Sequence, residues 1–308
     1  RNVIAFSAQG TGEPGAYYFF DRENKSVNLI GREYPTLPAD AISQVSVVSY
    51  QAGDGLDLIG FLTVPNGQEA RNLPLIMMPH GGPAARDYAG FDWWAQAMAS
   101  RGYAVFQPQF RGSEGFGDEL LEAGYGEWGR KMQSDLADGV KHLASSGIID
   151  PDRVCIVGAS YGGYAALAGV TIDQDVYRCA VSVAGVSDLR AMLADERLQG
   201  GSARVNSTVR YWQRFMGVDS GDDPRLDALS PARMADRIQA PVLLVHGRND
   251  TVVPYQQSLL MQEAMRSAGK PVDLVTLDGE DHYLSFAATR RQMLVETLEF
   301  LQEHNPAQ

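Results

Sequence analysis

The sequence predicts an α/β fold, a mostly parallel sheet with helices on both faces, and three observations predict it. From residue 75 onward, short and nearly unbroken apolar runs alternate with longer segments whose apolar residues recur every three or four positions. The short runs lack the in–out alternation of a half-exposed strand, so both faces of the sheet are covered. One run, Val154-Cys155-Ile156-Val157, leads into Gly158-Ala159-Ser160-Tyr161-Gly162, after which small residues open a helix.

Taken in order, residues 1–40 read as β. Val3–Phe6, Ala16–Phe20 and Ser26–Ile30 are strand-like, and Asp21–Lys25 is a polar turn. No second copy of this unit follows, and Pro35–Ala41 reads as a linker. Residues 41–308 form the second unit. It opens with a strand pair, Val45–Tyr50 and Leu56–Val64, joined at Gly53-Asp54-Gly55. Then come a strand at Leu75–Met78, a helix at Trp93–Ser100 ended by Gly102, and a strand at Tyr103–Phe106. Trp128, Met132, Leu136, Val140 and Leu143 mark one helix face. Strands follow at Val154–Val157, Cys179–Val183, Pro241–Val245 and Val272–Leu277. A helix covers Gln257–Ser267, and Leu294, Leu298 and Leu301 stripe a closing one.

With 44% hydrophobic and 21% charged residues in 308, the chain has an ordinary globular composition. A net charge of −12 argues against nucleic acid as a partner. The two cysteines, Cys155 and Cys179, lie in apolar strands and read as buried small hydrophobes rather than a disulfide framework. No apolar run is long enough to span a membrane. The chain starts at Arg1 in mid-pattern, which reads as truncation, so the compartment of a soluble protein, cytoplasmic or periplasmic, stays open. There is no His-x-x-x-His or comparable ligand spacing, so neither metal nor cofactor is expected. Gly112–Gly117 imitates a phosphate loop, but no Lys-Ser/Thr follows.

Gly-x-Ser-x-Gly between a strand and a helix is the pattern of a nucleophile elbow, which lifts Ser160 above the sheet edge at positive φ. A serine hydroxyl needs a base, usually His, and a carboxylate that orients the base. In α/β-hydrolases the order is Ser, Asp or Glu, His. His282 follows the last strand in Asp278-Gly279-Glu280-Asp281-His282 and is the expected base. Asp250, in the loop after the strand before it, is the expected acid, with Asp281 and Asp188 as rivals. His246 is expected to be structural, its ring bonding its own loop. His142 and His304 belong to a polar helix face and a polar tail, and His80 precedes the serine. Developing negative charge needs preorganised donors. The Tyr161 amide and the loop His80-Gly81-Gly82-Pro83 are placed to supply them.

As a set these stretches resemble the prolyl oligopeptidase family of serine peptidases, in particular its acylaminoacyl-peptidase and dipeptidyl-peptidase branches. The resemblance rests on His80–Pro83, Gln109-Phe110-Arg111-Gly112-Ser113-Glu114-Gly115-Phe116-Gly117, Gly158–Tyr164, His246–Pro254 and Glu280–His282. It spans about residues 42–303 and implies an α/β-hydrolase catalytic domain with the triad Ser160, Asp250 and His282. It further implies that Gly82 and Tyr161 give backbone amides to the oxyanion. Tyr211, Phe215 and Val253 become pocket walls for a small apolar residue such as Pro or Ala, and Arg111 becomes a further substrate contact. Relatives carry a large N-terminal β-propeller, of which residues 1–40 look like the end of a last blade. The expected reaction is hydrolysis of short peptides through an acyl-enzyme, with a homo-oligomer left open. A carboxylesterase of the same fold is the nearest alternative, and a non-catalytic binding module a more distant one.

Overall fold

The computed structural model describes residues 2–202 and 204–307. Three strands, β1 (Val3–Gly10), β2 (Glu13–Asp21) and β3 (Ser26–Arg32), form an antiparallel sheet of their own. Eight more make the main sheet: β4 (Val45–Gln51), β5 (Asp57–Thr63), β6 (Leu73–Met77), β7 (Ala104–Gln109), β8 (Ile149–Ala159), β9 (Cys179–Val183), β10 (Val242–Gly247) and β11 (Val272–Leu277). Their spatial order is β11-β10-β9-β8-β6-β7-β5-β4. From β11 to β7 every pairing is parallel, and β5 and β4 close the edge antiparallel. The α/β expectation therefore stands.

The helices are α1 (Trp93–Ala99), α2 (Asp118–Glu122), α3 (Lys131–Ser145), α4 (Tyr161–Ile172), α5 (Leu189–Gly200), α6 (Ser207–Met216), α7 (Gln256–Ser267) and α8 (Ala287–His304). They divide the core into two layers, which explains the unbroken apolar strands. In β6, Leu75 and Met77 face one layer with Phe106, Trp128, Leu136 and Tyr161. Ile76, between them, faces the other with Val105, Val157, Met293 and Leu301. Successive strand residues point to opposite faces, so a strand covered on both sides must be apolar at every position.

Three differences from the sequence reading have clear causes. Helix α5 was not anticipated, because only Leu189, Met192 and Leu193 of its twelve residues are buried. Trp128 lies before α3 rather than on it; it is buried against Tyr161 and Tyr164, with ring centroids 4.7 and 4.8 Å away. Cys155 and Cys179, expected to be independent small hydrophobes, are joined as a disulfide. The register of two parallel strands sets them directly opposite, with Cα atoms 4.8 Å apart, and no pattern within either strand carries that register.

Helix α4 sits on the sheet through glycines. A Cβ on Gly163 would lie 2.7 Å from the Gly185 Cα and 3.0 Å from the Val183 carbonyl oxygen, both rigid backbone. This contact seats the helix immediately behind Ser160. We expect Gly163→Ala to cost about 1–3 kcal/mol through overpacking. Urea unfolding would show it as a lower midpoint at unchanged slope.

Candidate active site

The elbow is built by backbone proximity. Ser160 has φ 58° and ψ −120° and stands at the N-terminus of α4. A Cβ on Gly158 would meet the Gly162 carbonyl oxygen at 2.4 Å, and one on Gly162 would meet the Pro79 carbonyl oxygen at 2.1 Å. Only glycine fits at either position. The Ser160 amide donates to the Val183 carbonyl at 2.9 Å, tying the strained residue to β9. Tyr161 is the first residue of α4, where an amide has no acceptor within the helix and the helix dipole favours negative charge.

The expected acid and base meet. His282 Nδ1 lies 2.6 Å from Asp250 Oδ2, and the Asp250 carboxylate is fully buried. Asp250 Oδ1 accepts from the amides of Val252 and Val253 at 2.8 and 2.9 Å. Burial alone would raise this carboxyl. Hydrogen bonds from His246 and His282 outweigh it and hold the group well below the usual carboxylate range. An ionised Asp250 fixes the proton of a neutral His282 on Nδ1 and leaves Nε2 free to accept another.

The two loops carrying this pair are fastened together. The Asn249 amide donates to the Glu280 carbonyl at 2.9 Å, and the Arg248 amide to that of Leu277 at 3.0 Å. A Cβ on Gly247 would meet the Glu280 carbonyl oxygen at 2.6 Å. The buried Glu280 side chain accepts from the amides of Asp281 and Phe286 and from the Thr289 hydroxyl. His246 is structural, as expected. Its Nε2 bonds the Val253 carbonyl at 2.9 Å, its Nδ1 bonds Ser258 Oγ, and it also lies 3.3 Å from Asp250 Oδ2. The rival acids are occupied elsewhere: Asp188 caps α5 and pairs with Arg233, and Asp281 receives Ser285 and the Tyr283 amide.

Ser160, His282 and Gly82 line one cavity of about 650 Å3 together with Ser207, Thr208, Tyr211, Trp212, Val252 and Tyr283. Tyr211 is on that wall as expected, and its hydroxyl accepts from the Ala84 amide at 3.3 Å. Phe215 does not line the cavity; it is buried one helical turn deeper and backs Tyr211, with centroids 4.9 Å apart. Val253 is likewise buried, and its neighbour Val252 takes the wall. Sequence reasoning missed Ser207, Thr208, Trp212, Val252 and Tyr283. For α6 the signal was present, since 208, 211 and 212 share a helix face. A turn has no such period, so nothing separated Val252 from Val253.

Arg111 requires a correction. It was expected to touch substrate, but its guanidinium is buried and already committed. It donates to both oxygens of the fully buried Asp135, at 2.7 and 2.8 Å, and to both of Asp54 at 2.9 Å. It is absent from the Ser160 cavity lining. A fixed buried fork of this kind commits four of the five guanidinium N–H donors and organises the loop after β7, away from the cavity.

A family model described as the prolyl oligopeptidase family matches residues 89–307. Dipeptidyl aminopeptidase BIII of Pseudoxanthomonas mexicana is 35% identical over 297 residues, covering 91% of this chain and 41% of that one. Dipeptidyl peptidase family member 6 of Caenorhabditis elegans is 31% identical, covering 91% and 40%. Among solved structures, a puromycin-hydrolysing peptidase of Mycobacterium tuberculosis superposes with a TM-score of 0.90 at 27% identity, over 100% of this chain and 46% of that one. The chain thus spans less than half the length of the relatives it matches.

Two expected outcomes follow from this geometry. Asp135→Ala leaves the buried Arg111 paired only at its Asp54 edge and should cost about 3–5 kcal/mol in denaturant unfolding. The second concerns acid. Burial pushes His80 down from its ordinary 6.5 to about 4. The stability linked to its neutral ring is therefore complete above about pH 6.5 and is lost as pH falls through about 4. A urea midpoint measured from pH 7 to pH 4 should drop, and should drop less steeply in His80→Asn.

Proposed function

The chain belongs to the prolyl oligopeptidase family, and from that premise we propose that it is a serine peptidase cleaving short peptides through Ser160, His282 and Asp250. The observation that carries the reading is the 2.6 Å bond from His282 Nδ1 to a buried Asp250, in a cavity that also holds a positive-φ Ser160. In the first step His282 Nε2 takes the Ser160 proton while Oγ attacks the peptide carbonyl carbon. The Gly82 and Tyr161 amides receive the resulting oxyanion. Collapse breaks the C–N bond, and the departing amine takes the proton from His282. Water, deprotonated by the same ring, then hydrolyses the acyl ester and restores the serine.

Tyr211, Trp212 and Val252 form the wall that takes the residue before the cleaved bond, with Phe215 and Val253 behind them. The partly apolar lining suits a small side chain such as Pro or Ala. The dipeptidyl aminopeptidase and dipeptidyl peptidase names among the relatives support a peptide substrate. We assign residues 1–40 to the end of a β-propeller blade and 41–308 to the catalytic domain, in keeping with a separate three-stranded sheet followed by the eight-stranded one. No helix among the described residues is long and apolar enough to cross a membrane.

Full-length protein should take up a fluorophosphonate probe, and Ser160→Ala should not. Hydrolysis of peptidyl anilides should fall about 10⁴-fold or more in Ser160→Ala, and by about 10⁴ in Asp250→Asn. Rapid turnover of simple acyl esters with negligible anilide cleavage would assign the site to a carboxylesterase instead.

A further inference from the structure

We propose that Tyr283 forms the subsite for the residue after the cleaved bond and selects a large apolar or aromatic side chain there. The inference rests on the serine-peptidase reading above. Besides Gly82 and Ser160, the cavity takes its lining from distant parts of the chain. Helix α6 gives Ser207, Thr208, Tyr211 and Trp212, joined by Val252, and the turn after β11 gives His282 and Tyr283. The chemistry divides the substrate between them. The base that receives the Ser160 proton returns it to the leaving nitrogen, so the C–N bond that breaks points toward the His282 ring. The acyl side of the substrate then lies along α6, and the leaving residue runs out past His282. Tyr283 is the side chain that flanks His282 in that lining.

The turn holds Tyr283 in this place. Asp281 Oδ1 accepts from the Tyr283 amide at 2.8 Å, and Asp281 Oδ2 accepts from the Ser285 hydroxyl at 2.7 Å. Leu284 has φ 54°, a costly conformation for a residue other than glycine, and it is buried in the layer that holds Val245, Leu277 and Met293. Three successive residues thus serve three surroundings. His282 meets Asp250, Tyr283 meets the cavity and Leu284 meets the core. The Tyr283 ring stands at 90° to that of His282, with centroids 5.6 Å apart. Edge-to-face contact of this kind is the arrangement that aromatic rings favour.

Exposure alone would mean little, since single apolar side chains are common on protein surfaces. Placement gives it meaning. Tyr283 is 76% exposed and Phe286, just beyond the same turn, is 58% exposed, and of the two it is Tyr283 that lines the cavity. Most of its ring is therefore open to be covered, directly beside the group that protonates the leaving nitrogen. A flat apolar surface gains more from an aromatic or long aliphatic side chain than from the single hydrogen of glycine.

The test uses full-length enzyme with Tyr283→Ala and Tyr283→Phe. The substrates are peptides identical up to the cleaved bond and followed by Phe, Leu or Gly. The methyl ester of the same acyl part, which has no leaving residue, accompanies them. Wild type should prefer Phe or Leu to Gly at that position by about tenfold in kcat/KM. Tyr283→Ala should lower the Phe and Leu peptides about tenfold and bring the preference to about twofold or less. Tyr283→Phe should keep it, because the ring rather than the hydroxyl carries the contact. A second readout is capture of the acyl-enzyme by added amino-acid amides, which enter by the leaving path in reverse. Phenylalanine amide should outcompete glycine amide about tenfold in wild type and lose that lead in Tyr283→Ala. Wild type with no preference between Phe and Gly would overturn the subsite. So would a Tyr283→Ala variant that loses the methyl ester as steeply as the Phe peptide. Rapid methyl-ester hydrolysis without cleavage of any peptide would instead sink the serine-peptidase reading, and the subsite with it.

Discussion

The structure depends on a single backbone constraint, the close approach that holds Ser160 at φ 58°. A non-glycine residue at positive φ costs energy, and it persists only where its surroundings leave no alternative. Here the surroundings are Gly158 against Gly162, Gly162 against Pro79, and Gly163 against Gly185. Each contact brings two backbones closer than any Cβ would permit. Together they join β8, α4, the loop after β6 and the end of β9, so that one strained residue is defined by four segments.

The charged half of the site is organised differently, by hydrogen bonds rather than contact. Asp250 is buried, yet it stays ionised because two amides and two histidines supply what water would otherwise give. His246 has a quiet but necessary part in this. It binds both the Val253 carbonyl and Ser258, so it shapes the loop that presents Asp250. Glu280 plays the matching part for the His282 loop. Asp250 and His282 therefore each rest on a second buried polar residue from their own segment.

Behind the oxyanion loop lies a third arrangement. Phe110, Tyr161, Tyr164, Trp128 and Trp212 form a continuous aromatic cluster between the Arg111 ion pair and the substrate cavity. Such rings pack stiffly and offset from one another. The same cluster includes Tyr161, the first residue of α4 after Ser160, and through Phe110 it stacks on His80 in the loop after β6. Rigidity in this layer thus bears on both amides proposed as oxyanion donors, which suits a site whose groups must be in place before charge develops.

How much of this was legible in the sequence depends on the range of each signal. The α/β class and the parallel sheet followed from apolar runs and helical periods, which are local. The gathering of Ser160, Asp250 and His282 was also legible, because each sits just past a strand, and strand ends in such a sheet share one edge. Register, facing and commitment were not legible. Cys155 meets Cys179 only because two strands pair in one register. Val252 rather than Val253 faces the cavity because of a turn with no period. Arg111 looks like a ligand contact in one dimension, and only folding shows its buried guanidinium paired with Asp54 and Asp135. By itself the sequence determined which chemical groups arrive at the sheet edge, because those choices are written residue by residue. Tertiary structure alone decided which of them remain free to act, because a donor or a surface is used up only by a partner distant in the chain.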